Sequence, residues 1–520
     1  MGVKVIVLSC WIASLFAVAG LSAADGDLRL VDAAKNKDKE AVLSLLKQKV
    51  DVNAAQGDGA TALVWAAHWN DLETADLLIR AGANANAATD NGITPLWEAC
   101  ASASAAMVEK LLKAEAKPDA ALETGATPLM MCARTGGVEA VRSLVAAGAN
   151  VNAMEAGKGQ TALMWAVANR HPETVKALIE RGADVGARTK HVVLPAARSD
   201  NYSSGDGNYE GDFREVSKGG FTPLLFAAQH GDLESAKLLL AAGADVNEAT
   251  PEGSSALIRA TANNHPDVAE FLLGHGANPN AADENGMTAL HYTVLRGLLL
   301  LRGHSRKPFN DYLYRPTLPQ LVKALLAHGA DPNARLVKGP EIPGYVHGLS
   351  PVGTTALLLA AATNDADIMR LLVAAGADPN LAQENGVTPL MMAVGLAVSE
   401  EYEEDASRPR MQAVQAAVEA GADVNATNDL KVTALHAAAA AGANDMIQFL
   451  VEKGANVNAR DQYGQTAWTL AANVKPPGLQ GRASALPRGN RLRESTVELL
   501  VKLGATPVTF PEAERKEPGK

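Results

Sequence analysis

The sequence predicts an all-α solenoid, a single stack of short helix pairs, and three observations carry that expectation. A tail of the form Gly-Ala-Asp/Asn-Val/Pro-Asn returns at Gly82 (there with Ala85 in the fourth place), Gly148, Gly243, Gly276, Gly329, Gly376, Gly421 and Gly454. A second phrase, Gly-x-Thr-Pro/Ala-Leu, opens at Gly59, Gly92, Gly125, Gly159, Gly220, Gly286, Gly353, Gly386 and Gly464 (with Trp468 in the Leu place of the last), with variant copies at Gly253 and Lys431. The commonest step between openings is 33 residues. A fixed period in this range marks stacked supersecondary units, and it overrides the several-domain expectation that 520 residues would otherwise carry.

The unit from Gly220 to Glu252 shows why each element forms. Thr222 supplies a side-chain acceptor for the orphan N–H groups of a helix start, and Pro223 suits the first turn, where no N–H partner is needed. Leu224, Ala227 and Ala228 face inward, and the small alanines let neighbouring helices approach to about 8–10 Å between axes. Leu233, Ala236, Leu239 and Leu240 give a second helix its apolar stripe. Gly243 takes the left-handed conformation that ends it. One such unit cannot bury its apolar face alone, so its neighbours must.

The Gly-x-Thr-Pro-Leu opening, the Ala-Ala pair, the Leu-Leu pair and the Gly-Ala-Asp-Val-Asn tail together resemble the ankyrin repeat, from about Leu28 to Val508. The resemblance implies a β-turn and two antiparallel helices per repeat, and a protein partner rather than a substrate. Twelve repeats are expected, starting near residues 28, 59, 92, 125, 159, 220, 253, 286, 353, 386, 431 and 464. The first lacks the opening phrase and carries Lys35, Lys37, Lys39, Lys47 and Lys49, a polarity suited to an N-terminal cap. The last, ending near Ala505, suits a C-terminal cap, and 509–520 is a polar tail.

Residues 1–24 read as an export signal: Lys4, an apolar run from Val5 to Leu21, then Ser22-Ala23-Ala24 before Asp25. This places the chain in the periplasm or outside the cell, as a monomer with no membrane span once the leader is removed. The formal net charge is −11, and loss of Lys4 makes it −12. Such a balance argues against nucleic acid as a partner. Acids recur at the repeat junctions (Asp58, Asp90, Glu123, Glu252, Glu284, Glu384, Asp429, Asp461), either as a rim that steers a basic partner or as a solubilising surface. Only Cys100 and Cys132 follow the leader, one in each of two adjacent Ala-Ala pairs. Backbones about 10 Å apart would lie beyond disulfide reach, so both are expected as small core residues in a chain without disulfides.

Five insertions break the period. Segments 191–219 and 336–352 lie at turns between repeats, and 297–317, 395–410 and 474–493 lie between the two helices of one repeat. The two kinds fall at opposite ends of the helices, and such insertions often carry binding. The first contains Asp206, Asn208, Glu210 and Asp212, whose spacing resembles the start of a calcium loop, with Tyr202 and Tyr209 nearby. Glu210 and Ser217 stand where a calcium loop needs other ligands, so a polar interaction loop is the stronger reading.

By matching positions, the exposed side of the first helices carries His68, Trp69, Arg134, Asn169, Gln229, His230 and Asn263. Trp69 is the first choice for a partner contact, since Trp is enriched at binding hot spots. Trp65, Trp97 and Trp165 sit further inward, as inter-repeat packing. His171-Pro and His265-Pro read as starts of second helices, and His291 and His436 as bonds to the turn backbone. Ser44-Leu-Leu-Lys47 fits a nucleophile motif but lies in the capping helix without companions. No catalysis and no cofactor are expected. The resulting expectation is an exported scaffold that binds protein through its concave face and inserted loops. A secreted effector acting on other cells and a calcium-dependent module are the alternatives.

Overall fold

Threonine opens the first helix of nearly every repeat by capping it. Thr61, Thr94, Thr161, Thr222 and Thr433 are extended, and each side chain accepts the backbone N–H three residues on. Ser255 does the same in the variant copy. Pro95, Pro128 and Pro223 follow at the first helical position, where a missing N–H costs nothing.

In this computed structural model, residues 27–197, 213–294, 318–338, 352–395, 407–474 and 492–508 are described. The leader at 1–24, the insertion 297–317 and the tail 509–520 lie outside them, as do most of 336–352, 395–410 and 474–493. The chain divides into two units, 1–150 and 151–520.

In the first unit the helix pairs are Arg29–Lys35 with Lys39–Lys47, Ala62–His68 with Leu72–Arg80, Pro95–Ala101 with Ala105–Lys113, and Pro128–Thr135 with Val138–Ala146. The second unit opens with Ala162–Ala168 and Pro172–Glu180, then Pro223–His230 and Leu233–Ala241, then Ala256–Ala262 and Pro266–Gly274. Helical residues 289–294 and the helix Leu318–Ala327 follow. Then come Ala356–Ala362 with Ala366–Ala374, Pro389–Val394 with Ser407–Glu419, Ala434–Ala441 with Asn444–Glu452, and Ala467–Ala471 with Glu494–Lys502. Within each unit, first helices pack on first helices and second on second. The core is the alanine pairs and leucines: Leu224, Leu225, Ala227 and Ala228 are fully buried, as are Ala236 and Leu239 opposite them. Each leucine so buried contributes about 2 kcal/mol.

The recurring tail is a hydrogen-bonded ladder. Its last Asn accepts from the next repeat's backbone and donates back to it. Asn247 Oδ1 accepts Asn278 N–H at 2.8 Å, and its Nδ2 donates to Gly276 O at 3.2 Å. Asn53, Asn86, Asn333, Asn380 and Asn425 repeat the pattern. Asp119, in the Asn position, makes only the accepting half, to Asn150 N–H. Gly186 stands where the fifth repeat should have its Asn and offers no side chain at all.

Cys100 and Cys132 correct the sequence expectation: they are disulfide-bonded, with Cα atoms 4.4 Å apart. About 9 Å separates the axes of helices packed through alanine. Each Cα that faces its neighbour is about 2.3 Å closer than its axis, so the facing backbones nearly touch. The expectation took the axis distance for the Cα distance. Both residues are fully buried, and Thr135 Oγ1 donates to Cys100 O across the same junction at 2.9 Å.

The insertion 191–219, expected as a polar loop, is bounded by a β-ribbon. Strand β1 (Val192–Ala197) pairs antiparallel with strand β2 (Phe213–Lys218), Val192 opposite Lys218 and Ala197 opposite Phe213. These are the named strands among the described residues of an otherwise helical array. Gly219 closes the ribbon at φ +114°, and a Cβ there would lie 1.9 Å from Lys190 O, so no other residue fits this junction.

Candidate functional site

In the first unit, the exposed side of the first helices gathers aromatic rings and cations. The helix Ala62–His68 ends with His68 and Trp69 pointing out, and Trp69 keeps 41% of its surface exposed. The two rings meet edge to face at 4.6 Å, and Trp65 meets His68 the same way at 5.6 Å. Two lysines of the capping repeat cover the indoles: Lys37 Nζ lies 4.1 Å from the Trp69 ring and Lys35 Nζ 5.0 Å from that of Trp65. Trp69 Nε1 donates to Lys35 O, Trp65 Nε1 to Gln56 Oε1, and His68 Nδ1 lies 2.9 Å from Glu98 Oε2. The patch is thus held by three successive repeats. Its side chains are fixed before any partner arrives, which lowers the entropy cost of binding.

Trp97, by contrast, is buried in the fifth position after its opening Gly, the position His291 and His436 hold in their repeats. There His436 Nδ1 meets Thr433 Oγ1, and its Nε2 meets Gln465 O in the following repeat. Burial drives the pKa of both histidines down, that of His291 to about 4.

The second unit carries a similar surface that the sequence reading passed over. The sixth residue after the opening Gly is Trp165, Phe226, Arg259 and Tyr292 in successive repeats, all half-buried. Phe221 packs on Phe226 at 5.4 Å, and Phe226 stacks on His230 at 6.3 Å with the rings parallel. The Arg259 guanidinium lies 4.6 Å from the Phe221 ring centroid. Tyr292 donates to Asp283 Oδ2 at 2.6 Å. The ribbon's base adjoins this row: Thr189 and Phe221 exchange bonds of 2.9 Å, and His191 Nε2 lies 3.5 Å from Glu252 Oε1. Val192 and Val193 are exposed there. Register alone would have revealed the row.

Of the other residues expected here, Asn169 and Asn263 each turn Nδ2 back to their own helix, onto Trp165 O and Arg259 O. Arg134 is exposed. Gln229 and His230 are half-buried, and Gln229 O meets His265 Nε2 at 3.1 Å. Burial, then the Arg170 charge, holds His230 below its ordinary range. His171 and His265 sit at the caps of second helices. Tyr202, Tyr209, Asp206, Asn208, Glu210 and Asp212 lie outside the described residues. Of the junction acids, Asp58, Asp90, Glu123, Glu284, Glu384 and Asp429 are exposed. Asp461 is not: it is 5% exposed and accepts the N–H groups of Tyr463 and Gln465, so it shapes its turn instead of lining a rim.

Among the described residues, no group of three His, Cys, Asp or Glu could hold a metal, and no helix is long and apolar enough to cross a membrane. Ser44 Oγ meets Gln48 Nε2 at 3.4 Å, on an exposed helix without acid–base companions.

Family models for ankyrin repeats match most of the chain: a three-copy model at 30–121, 104–189, 224–302 and 314–400, a many-copy model at 418–471 and a single-repeat model at 285–335. The chain belongs to the ankyrin repeat family. Ankyrin repeats are generally protein–protein interaction modules and typically non-catalytic. Among solved structures, the human ASB11 ankyrin repeat domain is similar at 28% identity, over 48% of this chain and 98% of that one, with a TM-score of 0.38. A search of the curated proteins gave no match.

Proposed function

We propose that this ankyrin repeat protein is an exported, non-catalytic scaffold that binds another protein through the exposed side of its first helices. The Trp69 patch carries the reading: an exposed indole, immobilised by a bond to Lys35 and covered by Lys37, is a hot spot without a structural need for exposure. The ribbon flanking Phe221 would act as a second contact. Export is supported by the N-terminal apolar run and by the Cys100–Cys132 disulfide, since disulfides persist in oxidising compartments. Crosslinking capture of the full chain from envelope extract and from culture medium tests this, with Trp69→Ala and a deletion of 192–217 compared. One dominant partner, lost in either variant, supports the scaffold reading. Capture unchanged in both variants contradicts it.

A further inference from the structure

Arg259 is a cation on the contact face whose pairing is incomplete. Its guanidinium is stacked on Phe221, and its Nε is buried with no hydrogen-bond partner. Among the described residues no carboxylate forms an ion pair with it. Of the nearby acids, Asp283 accepts the Tyr292 hydroxyl, while Glu252 and Glu248 lie 3.5 Å from His191 and 3.7 Å from Arg188. Burial lowers the proton affinity of Arg259, and the nearby Tyr292, Glu252 and Asp283 offset part of that cost from a distance, without an ion pair.

We propose that Arg259 anchors an Asp or Glu side chain of the bound protein. The inference rests on the protein-binding reading above and names the chemistry recognised in the second unit. Stacking leaves the terminal in-plane N–H groups of Arg259 clear of the ring, and their planar fork matches a carboxylate, while the buried Nε stays out of a partner's reach. The row of sixth-position residues continues on both sides, through Phe226 toward Trp165 and through Tyr292. An occupant therefore runs across the site and presents an internal acid flanked by apolar residues, instead of ending there with its C-terminus. The Thr189–Phe221 bonds at the ribbon base hold the ring that holds Arg259, which ties the insertion to the site.

The test selects binders to the full chain from a randomised dodecamer library tethered at both ends. The peptides are then measured by fluorescence anisotropy, each with its acid replaced by the amide, and with a free or blocked C-terminus. The expected peptides carry Asp or Glu beside apolar residues. Arg259→Gln and the acid-to-amide change each weaken binding at least tenfold. Combined they cost little more than either alone, Arg259→Lys restores part, and blocking the C-terminus changes nothing. Should Arg259→Gln lose its helical signal, the Lys variant and the amide peptides decide. Peptides that bind Arg259→Gln as well as wild type, or that need only a free C-terminus, overturn the proposal. If those peptides fail on Trp69→Ala, the scaffold reading stands without it. A well-folded chain that selects no peptide overturns both.

Discussion

Asn280 Oδ1 accepts the backbone N–H of Asp331 at 2.7 Å, although 51 residues separate them. The same side chain donates to Gly329 O at 2.8 Å. The insertion 297–317 lies between, yet this rung has the geometry of its uninterrupted neighbours, so the ladder holds repeats in register while loops vary. Asn280→Ala removes both bonds. It should cost about 1–2 kcal/mol, read as a lower denaturant midpoint. Asn280→Asp keeps the accepting half, as Asp119 does naturally, and should fall between.

Gly186 leaves one rung unmade. A Cβ there would meet Asp184 Oδ1 at 3.5 Å, an ordinary contact. Gly186→Asn should stabilise the fold by about 0.5–1.5 kcal/mol, from the new bonds and the stiffer unfolded chain, read as a higher denaturant midpoint. An unchanged or lowered midpoint would show that the junction beside the ribbon has a different geometry.

The Cys100–Cys132 bond closes a separation of 32 residues. Its loss should destabilise the first unit by about 3–4 kcal/mol on loop entropy. The checks are mass spectrometry of the unreduced chain under denaturing alkylation and melting with and without reductant. Alkylation of both thiols without reductant would contradict the bond.

Much of the fold was legible because stacked repeats write their rules locally. Thr222, Pro223 and Gly243 each answer a backbone need within a few residues, and the tail repeats because Asn247 reaches the next repeat. The disulfide was not legible from spacing, since it depends on how far two small residues let helices close. The ribbon was missed because its polar middle outweighed the β-branched Val192 and Val193 at its base. Trp69 was legible as a lone exposed indole. Arg259 was not, because its meaning comes from Phe221 and Tyr292 in other repeats.

Acid should loosen the second unit through His291. Folding holds it neutral, with its pKa depressed from 6.5 to about 4. The unfolded chain therefore gains a proton first as pH falls. Stability is fully present above about 6.5, declines toward about 4, and levels off below, a loss on the order of 3 kcal/mol. His436 shifts in the same direction, by burial. Melting across this window should show a shallower slope in His291→Gln.

The most direct test of the scaffold reading is photo-crosslinking from defined faces. A photoreactive residue is placed at position 134, an exposed first-helix position that leaves Trp69 intact, and separately at Leu43, an exposed residue of a second helix. One discrete crosslinked protein is expected from position 134 and none from position 43, with Trp69→Ala lowering affinity at least about thirtyfold, the 2 kcal/mol of a hot spot. The same crosslinked product from position 43 and none from position 134 would contradict the scaffold reading.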